Sequence, residues 1–97
     1  MTDVTVRDNP ARSRFEAYVD GQLAGFSAYE LSDGVITFTH TEVDDAFEGQ
    51  GVGSSLVRHE LDVVRADGEL RVRPSCPFVR AWIDHHPDYH DLLRSPR

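Results

Sequence analysis

The seven residues Phe47-Glu48-Gly49-Gln50-Gly51-Val52-Gly53 constrain this chain more than any other stretch. Their three alternate glycines separate a run with β-like alternation from a run with helical period. Glycine at such a junction lets backbone N–H groups approach a bulky anion closely. The helix that follows directs the positive end of its dipole at the same place. The pattern points to a phosphate-bearing ligand held by main chain rather than by basic side chains. No Gly-Lys-Ser/Thr follows the glycines, which argues against a Walker-type phosphate loop. The glycine spacing and the antiparallel run before it argue against a βαβ dinucleotide-binding unit.

Ninety-seven residues allow one small domain over 1–97, with a core at about 4–93 and a frayed tail at 94–97. The net charge of −7 argues against a nucleic-acid partner and against an anionic membrane surface. All ten basic residues are Arg, which rules out lysine chemistry. A single cysteine, Cys76, allows no internal disulfide and fits a reducing cytosol. The start, Met1-Thr2-Asp3-Val4-Thr5-Val6, has neither a basic nor an apolar leader region, and no apolar run approaches the ~20 residues of a membrane span. These features lead us to expect a soluble cytoplasmic protein, as a monomer or homodimer.

Alternation predicts strands at Val4 to Arg7, around Phe15, Ala17 and Val19, at Gln22 to Leu31, and at Val35 to Val43. Asn9-Pro10-Ala11-Arg12 reads as a turn, and Asp20-Gly21 and Asp33-Gly34 as two-residue hairpin turns, giving an antiparallel meander. Past the glycines the period becomes 3.6. Val52, Leu56 and Val63 form one stripe, Val57, Leu61 and Val64 the next, with Arg58, Asp62 and Arg65 opposite. Gly68 is the expected left-handed cap. Leu70 to Arg73 reads as a fifth strand. Pro74-Ser75-Cys76-Pro77 opens a second helix with Ser75 as N-cap, Phe78 and Trp82 in the core, and Pro87 ending it. Asp88 to Leu93 reads as a last short helix with Tyr89, Leu92 and Leu93 inward.

Three groups carry candidate chemistry. Ile36, Phe38, His40 and Glu42 share one face of an ideal strand, a face that would run from core to cleft. His40 reads either as a general base near neutral pH or as a hydrogen-bonded strand-end histidine, and Glu42 as its partner or as a solvated carboxylate. Cys76 falls in the first turn of a helix, where the dipole favours thiolate, or is simply buried. His86 and His90 have ligand-like spacing, but Pro87 breaks the helix that would align them. A helix C-terminus favouring imidazolium explains His85 and His86 better than a metal, and we expect no metal.

Taken together, His40-Thr41-Glu42-Val43, Phe47 to Ser54, Pro74-Ser75-Cys76-Pro77-Phe78-Val79 and His86-Pro87-Asp88-Tyr89 resemble the small, single-domain branch of the GCN5-related N-acetyltransferase (GNAT) superfamily, over roughly Phe15 to Leu93. The resemblance implies an α+β fold: a mainly antiparallel sheet of four or five strands flanked by two or three helices, with acetyl-CoA wedged where two strands splay apart. It implies that the loop Glu48, Gly49, Gln50, Gly51, Val52, Gly53 and Ser54 binds the CoA pyrophosphate, with Gly51 and Gly53 as motif glycines. Glu48 stands where the family has Gln or Arg, so it should point away or cap the helix. Backbone from Thr41 to Val43 would pair with the pantetheine arm. The implied activity is acetyl transfer from acetyl-CoA to an amine of an unidentified acceptor. His40, or Glu42 through a water, would take the amine proton, and Cys76 or Tyr89 would protonate the leaving thiolate. In a variant scheme Cys76, activated by His40, carries the acetyl group. Larger members have helices between the first two strands that wall the acceptor site; here only Asn9 to Ser13 fills that interval. The rival readings are a non-catalytic acyl-CoA-binding module and an acidic protein-interaction domain.

Overall fold

The structure, a computed structural model, describes residues 3–93. The tail expected at 94–97 lies outside the described residues. Five strands lie in one sheet in chain order: β1 (Val4–Asn9), β2 (Arg14–Val19), β3 (Gln22–Ser32), β4 (Val35–Val43) and β5 (Arg71–Pro74). The first four are antiparallel neighbours and β5 joins β4 in parallel. That last connection needs a crossover, which is α1 (Val52–Asp67). A second helix, α2 (Pro77–Asp84), follows β5, and a 3-10 segment, Pro87–Leu92, closes the described chain.

Local chemistry sets these boundaries. Asp20 and Gly21 both adopt positive φ (51° and 79°), as do Asp33 and Gly34 (52° and 77°). This is the type I′ geometry whose twist matches paired strands. Gly68 caps α1 in the left-handed region and donates its N–H to the Val64 carbonyl. Only a 3-10 turn, Pro10–Arg12, separates β1 from β2.

The core lies between the sheet and α1. Phe15, Tyr29 and Phe38 form an aromatic cluster on the sheet's inner face, and His59 of α1 meets the Phe15 ring edge-on at 6.2 Å. Leu56, Val57, Leu61 and Val64 bury against it. Val63, expected in that stripe, is 40% exposed. It stands over a rim shared with Leu31 and Leu70, at a depression of about 220 Å³ beyond the cluster. Apart from the buried Glu16, the other face of the sheet carries mostly half-buried or exposed side chains, with the Arg14 guanidinium over the Phe26 ring at 4.6 Å. There the Tyr18 hydroxyl above all, with Arg14 and Asn9, holds the Glu16 carboxyl below its usual range.

The C-terminal segment docks through polar anchors on α1. Trp82 Nε1 donates to Ser54 Oγ at 2.8 Å, the Tyr89 hydroxyl donates to Asp62 at 2.7 Å, and Arg65 pairs with Asp91. The α1 surface bearing Arg58, Asp62 and Arg65 is therefore a docking stripe as well as a solvated one. Phe78, expected in the core, is 45% exposed, with its ring lying against Gly53. A Cβ on Gly53 would stand 2.8 Å from Phe78 Cζ, and one on Gly25 would stand 2.6 Å from the Glu42 carbonyl oxygen. A ring tip at the surface can move, whereas paired backbone cannot. Gly25→Ala should therefore lower the unfolding free energy by roughly 2 kcal/mol or more, and Gly53→Ala by about half as much or less. Urea denaturation of the two variants checks the order.

Candidate functional site

An extra residue in β4 organises the site. Tyr29 pairs with Phe38, but the next residue of β3 toward its start, Ala28, pairs with His40, so Thr39 is bulged out of register. A bulge reverses the in–out alternation beyond it. Ile36 and Phe38 face the core, and after the bulge it is Thr41 that turns inward. His40 and Glu42, expected on the Ile36–Phe38 face, stand on the opposite one, 60% and 64% exposed at their side chains. There His40 Nε2 lies 3.1 Å from Glu42 Oε1, and the imidazole packs near Phe26 at 5.9 Å.

Beyond the bulge β4 also loses a neighbour. Its parallel pairing with β5 ends at Phe38 opposite Pro74. The Cys76 N–H then donates to the Phe38 carbonyl at 2.8 Å, and the chain turns away into α2. This bond keeps the backbone extended through Cys76 (φ −71°, ψ 125°), which makes Cys76 itself the N-cap, with Pro77 first in the helix. Ser75, the expected N-cap, lies one residue too early. Among the described residues, the edge of β4 from Thr39 to Val43 has no strand beside it on the β5 side.

Cys76 is buried, and its thiol donates to Thr41 Oγ1 at 3.4 Å. Thr41 Oγ1 lies 3.3 Å from Ser27 Oγ, which donates to Glu60 Oε2 at 3.2 Å. Glu60 is 0% exposed, and its Oε1 has no hydrogen-bond partner among the described residues. Desolvation, only partly offset by the Ser27 bond, pushes its carboxyl up to about 8. The sequence reading passed over Glu60 and Ser27. The signal was there, because Glu60 lies four residues after Leu56 and four before Val64, a carboxylate set in the apolar stripe of a helix.

The glycine loop has the geometry of an open helix end. Gly49 and Gly51 take positive φ (80° and 78°), and Gly51 is the N-cap of α1 with no side chain capping the first turn. The N–H groups of Val52, Gly53 and Ser54 have no intrahelical acceptor, since Ser55 N is the first to donate back, to Gly51 O. Glu48 is exposed and ends the 3-10 turn Asp45–Phe47, so it does not cap the helix.

The structure thus brings Glu42 to His40 and Thr41 to Cys76, and holds those two pairs on opposite faces of β4. Tyr89 stands apart from both: its hydroxyl is on Asp62, two turns along α1 from Ser54, and that bond raises its pKa. His85 and His86 spend Nδ1 on the last-turn carbonyls Ala81 O and Trp82 O, and His86 stacks on Trp82 at 3.7 Å. His90 bonds Ile83 O.

A sheet splayed beside a glycine-opened helix is the setting in which comparison with known proteins becomes informative. Residues 14–92 match the family model described as GCN5-related N-acetyl-transferase. The chain belongs to this family. An NMR structure of a GCN5-like protein from Staphylococcus aureus superposes with a TM-score of 0.72 at 22% identity, covering 100% of this chain and 94% of that one. The ribosomal-protein-S18-alanine N-acetyltransferase from Escherichia coli superposes with a TM-score of 0.66 at 16% identity, over 88% of this chain and 76% of that one. At these identities the likeness concerns the fold. Protein NATD1 from Bos taurus is 30% identical over 53 residues, 55% of this chain and 46% of that protein. The chain spans about half the length of the curated relatives it matches. Among the described residues no helix is long and apolar enough to cross a membrane.

Glu60 has a measurable cost. Its folded-state pKa lies near 8, above the ordinary 4.5 of the unfolded chain. The folded state therefore holds the proton more tightly, and this group's contribution to stability is full below about pH 4.5 and lost as pH climbs through 8. The loss is on the order of a few kcal/mol. Glu60→Gln, which cannot ionise, should gain stability relative to the parent steadily between pH 5 and pH 8. Urea midpoints at three pH values would measure the widening gap.

Proposed function

We propose that this chain is an acetyl-CoA-dependent N-acetyltransferase that moves an acetyl group to an amine. The observation that carries the reading is the parting of β4 from β5 at Phe38, within reach of both the Thr39 bulge and the Cys76 thiol. A free strand edge can pair with an amide-bearing chain such as pantetheine, as an added strand would. The backbone from Thr41 to Val43 offers that edge. The unpartnered amides of Val52, Gly53 and Ser54, with Glu48 to Gly51 as the approach, suit a pyrophosphate. The net charge of −7 makes backbone dipoles the fitting device, because a chain short of cations must use them.

Chemistry then divides across the strand. An amine must lose a proton as it attacks the thioester carbonyl. His40, steadied by Glu42 at 3.1 Å on the open face, is suited to take it. A main-chain N–H at the Thr39 bulge is suited to the developing oxyanion. The departing thiolate takes its proton from Cys76, which lies beside the parted strands, rather than from Tyr89, whose hydroxyl sits on Asp62 two turns along α1 from Ser54. In the variant scheme Cys76 attacks the thioester itself and carries the acetyl group. With His40 on the other face, its activation would come from the Thr41 side.

Titration with acetyl-CoA should move the amide resonances of Val52, Gly53 and Ser54 and those of Thr41 to Val43. An amine panel should release free CoA, His40→Ala should slow release by about 100-fold, and Cys76→Ala should lower it measurably. Moved resonances without release on any amine would make the protein an acyl-CoA-binding module. Unmoved resonances at saturating acetyl-CoA would defeat both readings.

A further inference from the structure

Glu60 has no task in this scheme, yet it is a carboxyl fully buried in the core. An apolar residue at this position of α1 would pack without cost. The carboxyl instead sits at 0% exposure with one hydrogen bond, to Ser27, and one oxygen unmatched. What distinguishes it from a misplaced charge is the path that leaves it. Glu60 Oε2, Ser27 Oγ, Thr41 Oγ1 and Cys76 Sγ follow one another at 3.2, 3.3 and 3.4 Å. Each hydroxyl has one proton to give and lone pairs to receive, so the chain can be read in either direction without rebuilding. Its far end is the thiol beside the parted strands.

We infer that Glu60 is a positioning residue for Cys76: carboxyl and thiol share one proton through the hydroxyls of Thr41 and Ser27. In one direction the Sγ–H bond breaks, Thr41 takes that proton and passes its own to Ser27, and Ser27 passes its own to Glu60. The result is a thiolate and a neutral carboxyl, with charge conserved. The reverse sequence returns the thiol and the carboxylate.

The surroundings isolate the pair. Of the ionisable groups on the strands against this turn of α1, Tyr29 of β3 is bonded to Asp8, and His40 and Glu42 of β4 stand on the far face. Arg14 and Glu16 of β2 pair with each other on that same outer face. Burial lifts the carboxyl to about 8. The use of the arrangement rests on the acetyl-transfer reading. The proton given by Cys76 to a departing CoA thiolate is replaced from Glu60, or, in the variant scheme, Glu60 takes the thiol proton as the Cys76 sulfur bonds the acetyl carbon and the bond from that carbon to the CoA sulfur breaks, CoA leaving as thiolate.

The test needs no CoA, so it can fail or succeed apart from that reading. Cys76 is the only cysteine, and 13C labelling of its Cβ and of the glutamate Cδ follows both ends during a pH titration of the whole chain. The parent should show both nuclei reporting the same two steps, about one pH unit or more apart. Glu60→Gln should collapse the Cys76 curve to one step. Ser27→Ala, which keeps the carboxylate but removes its hydrogen bond, should drive the Glu60 midpoint up and the Cys76 midpoint down. This opposed movement is one a purely structural glutamate would not give, and it stands as the test even where Glu60→Gln does not fold. Superimposable single-step Cys76 curves in the parent and in whichever variants fold would overturn the inference.

Discussion

One residue of surplus length in β4 governs the rest. Because Thr39 is unmatched by β3, everything after it is turned over. Thr41 looks toward α1 and Cys76, and His40 and Glu42 look away from them. Without the bulge a nine-residue strand would hide His40 against the core and expose Thr41. The sheet would then separate polar from apolar residues, but it would offer no strand carrying different chemistry on its two sides.

Electrostatics follow from the same economy. The chain has seventeen acidic residues against ten basic ones, and several arginines are committed to internal partners: Arg14 to Glu16 and Phe26, Arg65 to Asp91 and the Tyr89 ring, and Arg58 to the Trp82 ring. At the start of α1, Gly49 and Gly51 let the backbone turn with positive φ, and among the described residues no side chain caps the helix end. Glu48, exposed outside that turn, neither helps by capping nor blocks the helix end.

Much of the fold could be read from residues in order. The two Asp-Gly turns, the change of period after Gly53, the cap at Gly68 and the break at Pro87 are local chemistry, and local chemistry survives into the structure. What escaped reading was set by pairing across distance. The alternation from Val35 to Val43 is unbroken on paper, so nothing in it announces that β3 will skip Thr39. The N-cap of α2 moved from Ser75 to Cys76 because a carbonyl on another strand, that of Phe38, claims the Cys76 N–H. Phe78 and Val63 carry apolar side chains at helical spacing, but they lie where the sheet no longer stands opposite. Glu60 is the reverse case, legible as a carboxylate in an apolar stripe and unread because no partner for it was visible from sequence spacing. For the site, His40, Glu42 and Cys76 were picked out by residue type. That they form two separate pairs is a property of the sheet.

The strand order equals the chain order, which gives the molecule a timetable. The meander from β1 to β4 needs only neighbours joined by tight turns, and contacts of that kind form early. The β5 pairing must wait until sixteen residues of α1 have wound and crossed back over the sheet. Only then does Cys76 meet Thr41. A nascent chain therefore completes its glycine turn before its thiol arrives, and the contact on which sulfur chemistry would depend waits on the β5 pairing.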